Sequence, residues 1–175
     1  MFKFLKKDNA AKTETAENKA VSNSVAVLTP VEGKAVALAQ LDDGVFSEGM
    51  LGKGAAVLPS DGIVTMPVSG TVEAVFPTKH AYGIQSDDGV EVLVHIGIDT
   101  VEMNGDGFTT SVSQGDHLNA GDVLGSFSIE AIEAAGYSSA VIVVISNTDD
   151  FAEVTGIENT EVSSGDTLIQ IVKGV

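Results

Sequence analysis

The sequence predicts an all-β fold, an antiparallel sandwich or barrel with at most short helical turns. Three observations carry that prediction. Short apolar stretches recur along the chain: "VAVLTPV", "KAVALAQL", "AAVLP", "GIVTMPV", "GTVEAVF", "VEVLVHIGI", "AVIVVIS" and "TLIQIV". Gly, Pro, Asp and Ser punctuate them at close intervals, the spacing of short strands joined by turns. A single stretch of the body, "SIEAIEAAG" (Ser128 to Gly136), has helical character, with Ser128 as its N-cap.

Taken in order, residues 1–24 read as a flexible tail. "DNAAKTETAENKAVSNS" holds too few bulky apolar residues to order itself. Phe2 and Leu5 can share one helical face with Lys3, Lys6 and Lys7 opposite. So short a helix is marginal alone in water, so it needs a partner, with at most weak membrane contact. Residues 25–175 then form one domain. At 43% hydrophobic the chain can bury a core, and with 5% aromatics and no Trp that core is built from Val, Ile, Ala and Gly. Within the body, "VSQGD" (Val112 to Asp116) echoes "VSSGD" (Val162 to Asp166), which suggests two related β motifs packed as halves.

Composition excludes several kinds of chemistry. Cysteine is absent, so disulfides, thiolate catalysis and Cys-based metal sites are ruled out. Net charge is −16, all nine cations are Lys, and none lies between Ala81 and Val172. Such a body repels nucleic acid and anionic lipid, which need a basic footprint. It suits solubility and basic protein partners. The longest apolar run, "AVIVVI" (Ala140 to Ile145), is far short of the roughly 20 residues of a spanning helix. The start lacks the apolar core of a secretory signal, and the expectation is a cytoplasmic protein.

The chain has three histidines, and "HAYGIQSDDGVEVLVHIGID" (His80 to Asp99) holds two of them. Its Ser86-Asp87-Asp88-Gly89 segment reads as a hairpin turn. With Ser86 facing Gly89, Tyr82 faces Leu93 and His80 faces His95, so their Cβ atoms would lie about 4.5–5.5 Å apart. A tighter Asp88-Gly89 turn would put Tyr82 opposite His95 and still keep the histidines on one face. Val90, Val92, Val94, Ile96 and Ile98 alternate onto a core face, with Ala81 and Gly83 opposite them. That leaves His80, Tyr82, Glu91, Leu93, His95 and Gly97 on an accessible face of mixed polarity. Two adjacent imidazoles make half of a tetrahedral zinc site. Equally, they make a nucleophile with a hydrogen-bonding neighbour, or an ordinary pair of surface histidines. The residues by themselves leave all three open. His117, in "QGDHLNAGD", reads as an exposed loop residue.

"GVEVLVHIGIDTVEMNGDGF" (Gly89 to Phe108) resembles the signature of the glucose-family enzyme IIA proteins of the bacterial phosphoenolpyruvate-dependent sugar phosphotransferase system. The resemblance extends upstream through Val45 to Ile84 and downstream to "VIVVISNTDD" and "VSSGDTLIQIVK", about residues 25–173 in all. It implies an antiparallel sandwich of two related, interlocked motifs. It also implies a phosphocarrier in which His95 takes a phosphoryl group from HPr and passes it to the IIB domain of a sugar permease. His80 matches the second histidine, which supports the phosphoryl oxygens, and Thr78 the threonine that orients it. Gly97 matches the glycine whose carbonyl holds the Nδ1 proton of the active histidine. Asp43 and Asp99 match acidic residues flanking the site, and Phe46 and Val101 match apolar residues of the docking surface. Tyr82 and Leu93 join that surface if the hairpin face is as read above. No cofactor is required. Zinc at His80 and His95 would be weak and adventitious, or would depend on a partner, and regulatory proteins are further candidate partners. "MPVSGTVEAV" (Met66 to Val75) also resembles biotinyl and lipoyl carriers, but those need a Lys at a hairpin tip. Zinc peptidases of the lysostaphin type need a His-x-His pair, which is absent.

Overall fold

The computed structural model describes residues 23–174. The predicted tail falls almost entirely outside them. The first half of the body runs β1 (Ser24–Leu28), β2 (Gly33–Val36), β3 (Lys53–Pro59), β4 (Ile63–Thr65), β5 (Gly70–Val75), β6 (Ala81–Ser86) and β7 (Glu91–Ile96). Next come β8 (Phe108–Thr110), β9 (His117–Leu118) and β10 (Val123–Phe127). The short helix α1 (Ile129–Ala134) precedes β11 (Val141–Ile145), β12 (Glu153–Gly156), β13 (Thr160–Val162) and β14 (Thr167–Val172). Ser128 caps α1 as expected, its Oγ accepting from Ala131 N at 3.1 Å. "KAVALAQL" is a strand only as far as Val36. Leu38–Leu41 winds into a 3-10 turn that ends at a left-handed Asp42.

Every strand pairing is antiparallel. The strands form one eight-stranded sheet, β13-β2-β3-β11-β7-β6-β5-β9, and two three-stranded sheets, β1-β14-β12 and β4-β10-β8. Read from either end, the order describes the same motif twice. β1, β2, β3 and β11 to β14 form one copy, and β4 to β10 form the other. Pro30 and Pro67 open matching segments, and they exchange matching bonds. Thr65 N donates to Pro30 O at 2.8 Å, and Leu28 N to Pro67 O at 2.9 Å. The halves are therefore interlocked, with β4 to β10 inserted between β3 and β11.

The Gly-Asp echo is a real turn, but the two copies are not symmetry partners. Ser163 N donates to the Asp166 carboxylate at 2.8 Å and Ser113 N to that of Asp116 at 2.9 Å. A third copy, Asn119 to Asp122, has the same bond at 2.8 Å. Ser163–Asp166 leads into β14, and its counterpart by topology is Asn119–Asp122, which leads into β10.

Most of the core lies between the large sheet and the two small ones. A second apolar cluster sits on the outer face of the large sheet. There Leu38 and Phe46, on the arm joining β2 to β3, cover Val36, Ala56, Ile142 and Val144. β11 reads "VIVVI" without alternation because it is covered on both faces. That arm delivers one wall of the site.

The hairpin register differs from the sequence reading by one residue. Ala81 faces His95, Tyr82 faces Val94 and Gly83 faces Leu93. The loop is Asp87-Asp88-Gly89, with Ser86 N bonded to Val90 O at 2.8 Å. Gly89 at φ +87 takes the left-handed third position that such a loop needs. Tyr82 and Ile84 therefore join Val92, Val94 and Ile96 in the core, while Ala81 and Gly83 share the outer face with His95 and Leu93. Tyr82 is fully buried, so its placement on the docking face is corrected. Ile98 also leaves the predicted core face. Gly97 breaks the alternation, and Ile98 packs on the outer cluster.

Candidate active site

His95 is the penultimate residue of β7 on its outer face. Immediately after β7, Gly97 turns the chain at φ +78, and its N–H is held by Ala140 O at 2.8 Å. That turn points the Gly97 carbonyl back at the ring, and His95 Nδ1–H donates to it at 2.8 Å. The proton is thereby fixed on Nδ1, and Nε2 keeps a free lone pair. Only glycine fits here. A Cβ would lie 2.4 Å from Thr100 Cγ2 and 2.8 Å from Ser138 O. Buried Thr100 braces the same turn by donating to Ile96 O at 2.5 Å.

His80 stands just before β6. Its ring centroid lies 4.9 Å from that of His95, edge to face at 85°. Its Nδ1 meets Thr78 Oγ1 at 2.5 Å. With the Thr78 hydroxyl donating, the His80 proton sits on Nε2, where it is free to donate. The Phe76 ring flanks His80 edge-on at 5.6 Å, and the Phe46 ring lies 5.0 Å from His95.

Burial pushes both imidazoles toward the neutral form. His80 is lowered to about 4 by burial and then by the adjacent His95. His95 is lowered by burial, against the opposing pulls of the Gly97 carbonyl, Asp99 and Asp43. A neutral imidazole is the nucleophilic form, so the site is primed at neutral pH.

A cleft of about 490 Å³ opens over His95, lined among others by Asp43, Phe46, Ile98, Asp99, Val101 and Tyr137. The sequence-predicted His95, His80, Thr78, Gly97, Asp43, Asp99, Phe46 and Val101 are thus brought together. Phe46 is nearly buried and forms the cleft's floor rather than a projecting knob. The Asp43 carboxylate accepts from Phe46 N at 3.0 Å and Ser47 N at 2.8 Å, so it also fixes the arm under His95. Although burial opposes ionisation, those backbone bonds hold its carboxyl below the usual range. Leu93 lies on the same outer face as His95, half-buried against the outer cluster. His117 is exposed and paired with Asp87 at 2.9 Å, although it lies in short β9 rather than in a loop.

Two contributors were not foreseen. Phe76 sits four residues before His80, and an aromatic so close to a histidine is a signal that the sequence carries. Gly136 to Ser138, after α1, reach the cleft only through the tertiary fold, and no local pattern marks them.

Residues 25–151 match the family described as phosphoenolpyruvate-dependent sugar phosphotransferase system, EIIA 1. This chain belongs to that family. It is 42% identical over 149 residues to the glucose-specific EIIA component of Oceanobacillus iheyensis, covering 85% of this chain and 90% of that protein. It is 48% identical over 124 residues to the beta-glucoside-specific EIIBCA component of Bacillus subtilis, covering 71% of this chain but only 20% of that longer protein. Among solved structures, glucose permease IIA from Mycoplasma capricolum aligns with TM-score 0.79 at 37% identity, over 84% of this chain and 95% of that one. As an EIIA phosphocarrier, the chain serves as a phosphotransferase component in sugar uptake. No helix among the described residues is long and apolar enough to cross a membrane.

Proposed function

We propose that His95 Nε2 accepts a phosphoryl group from the phosphohistidine of HPr and passes it to the IIB domain of a sugar permease, in the cytoplasm. The observation that carries this reading is the 2.8 Å bond from His95 Nδ1 to Gly97 O beside a second, near-neutral imidazole. One N–P bond breaks as the Nε2–P bond forms, and the proton stays on Nδ1 throughout, donated to the Gly97 carbonyl. His80 Nε2–H supports the transferring oxygens, with Thr78 fixing its tautomer. Asp43 and Asp99 surround the site with negative charge, so the phosphoryl group is held weakly and remains transferable. The relative that carries EIIB and EIIA in one component supports the IIB partnership.

The cleft combines half-exposed apolar groups, Val101 and Val45, with carboxylates, which suits partners that are apolar at the centre and basic at the rim. Regulatory proteins with such a surface would dock there too. Zinc at His80 and His95 is adventitious in this reading. Two imidazoles supply two of four ligands, and among the described residues no group of three or more His, Asp or Glu is placed to hold a metal. Zinc titration should therefore give no submicromolar affinity.

The test is incubation with phosphoenolpyruvate, Enzyme I and HPr. One acid-labile, base-stable label on His95 is expected. Label retained by His95→Ala would overturn the assignment.

A further inference from the structure

The pairing of β6 with β7 should have sent His80 the wrong way. Along β6, Tyr82, Ile84 and Ser86 point into the core, and Ala81, Gly83 and Gln85 point outward with His95. Strict alternation would carry His80 to the Tyr82 side, away from His95. Instead the two rings meet at 4.9 Å. Between the turn and the strand stands Lys79 at φ +60, one of five non-glycine residues at positive φ among those described. Its N–H closes a turn onto Phe76 O at 2.7 Å, and Phe76 N in turn bonds Ala81 O at 3.1 Å. The left-handed bend folds the chain back, so that Thr78 reaches His80 Nδ1 and the Phe76 ring lies against the imidazole. In the other half of the molecule, the residue before β3 is Gly52, also at positive φ, +128. The bend thus recurs by topology, once with glycine and once with lysine.

We propose that Lys79 is a positioning residue for phosphoryl transfer, whose left-handed backbone, and not its ammonium group, holds His80 beside His95. The side chain is exposed and forms no ion pair among the described residues, so its charge has no structural task. A lysine pays a conformational cost at that φ, and a β-branched residue pays more. The inference rests on His80 serving the transfer.

The test separates charge from backbone. Lys79→Gly and Lys79→Asn remove the charge and tolerate the bend, whereas Lys79→Ile opposes it. The His80 imidazole is titrated by NMR in the free protein, and acceptance and donation are then measured in single turnovers. Glycine and asparagine variants should keep the His80 midpoint near 4 and donate within about twofold of the parent. The isoleucine variant should raise that midpoint toward 6.5 and donate about tenfold more slowly, with a smaller effect on acceptance. If it does not fold, Lys79→Ala, which bears a smaller penalty, should show the same two shifts at about threefold. Slow donation by the glycine variant, or parental behaviour by the isoleucine and alanine variants, would overturn the proposal. The titration needs no relay. If His80→Gln donates normally, the transfer role of His80 fails, while a moved midpoint in Lys79→Ile still upholds the positioning.

Discussion

Position for position, β3 and β11 of one half correspond to β6 and β7 of the other. With the first residues of β2 and β5 aligned, the pairings match Gly54 to Ala81, Ala55 to Tyr82, Val144 to His95 and Ser146 to Gly97. The backbone plan is shared, and the chemistry is not. Val144 is fully buried under the long arm between β2 and β3, while His95 stands at the edge of that cover and meets a cleft. The corresponding connection between β5 and β6 is a short turn, which leaves room for a site and supplies His80. A site arose where one loop is short and the other half's loop is long enough to floor it. The lesson is that symmetry in hydrogen bonding places strands, and asymmetry in loop length places function.

Four changes, one of them with a matched control, break or sharpen that comparison. The largest effect is expected from His95→Val, which makes the two halves alike at this position. It should abolish phosphorylation by the relay and leave the fold intact, as checked by label incorporation and circular dichroism. Next is Gly97→Ala, whose Cβ meets the Ser138 backbone and Thr100. It should destabilise the protein by about 3 kcal/mol in chemical denaturation. Ser146→Ala, at the matching exposed position, should cost no more than about 0.5 kcal/mol. Equal costs would show that the two turns are not distinguished by packing.

His80→Gln comes third. It should still accept phosphate and should donate about 100-fold more slowly, because an amide offers a hydrogen bond but cannot take up charge. The same variant tests the electrostatics. His80 falls from 6.5 to about 4 on folding, so the unfolded chain binds the extra proton between those values. Native stability should therefore decline as pH falls from 6.5 toward 4, by up to about 3 kcal/mol. The Gln variant, measured by denaturation at each pH, should lose most of that decline.

The smallest effect belongs to Tyr82→Phe. Ala55 occupies the matching position without a polar group. The buried Tyr82 hydroxyl has no hydrogen-bond partner by geometry, and Thr110 is merely near enough to oppose the upward push of burial on its ionisation. Removing it should leave stability unchanged or raise it by about 1 kcal/mol, with phosphoryl transfer untouched. A weakened association with HPr would return Tyr82 to the docking surface.

Much was legible in the sequence. Period-two apolar runs and Gly-Asp turns gave the β architecture, because a half-buried strand must alternate and a reversal must use residues that tolerate it. Ser128 could be read as a cap because its partner, Ala131 N, lies one helical turn away. His80, Thr78, His95 and Gly97 were legible because the resemblance runs through the very segments that hold them. The hairpin register was not. A three-residue loop with a left-handed Gly89 and a two-residue turn draw on the same residues, and a slip of one exchanges every side chain between faces. Nor could local pattern show that Phe46 is a floor, that Tyr82 is core, or that Tyr137 reaches the cleft, since each depends on elements distant in the chain. The sequence by itself determined which side chains are candidates for the chemistry. Only the tertiary structure decided how the histidines meet, because the register and the turn before β6, with Lys79 at positive φ, depend on pairing between segments that no local pattern fixes.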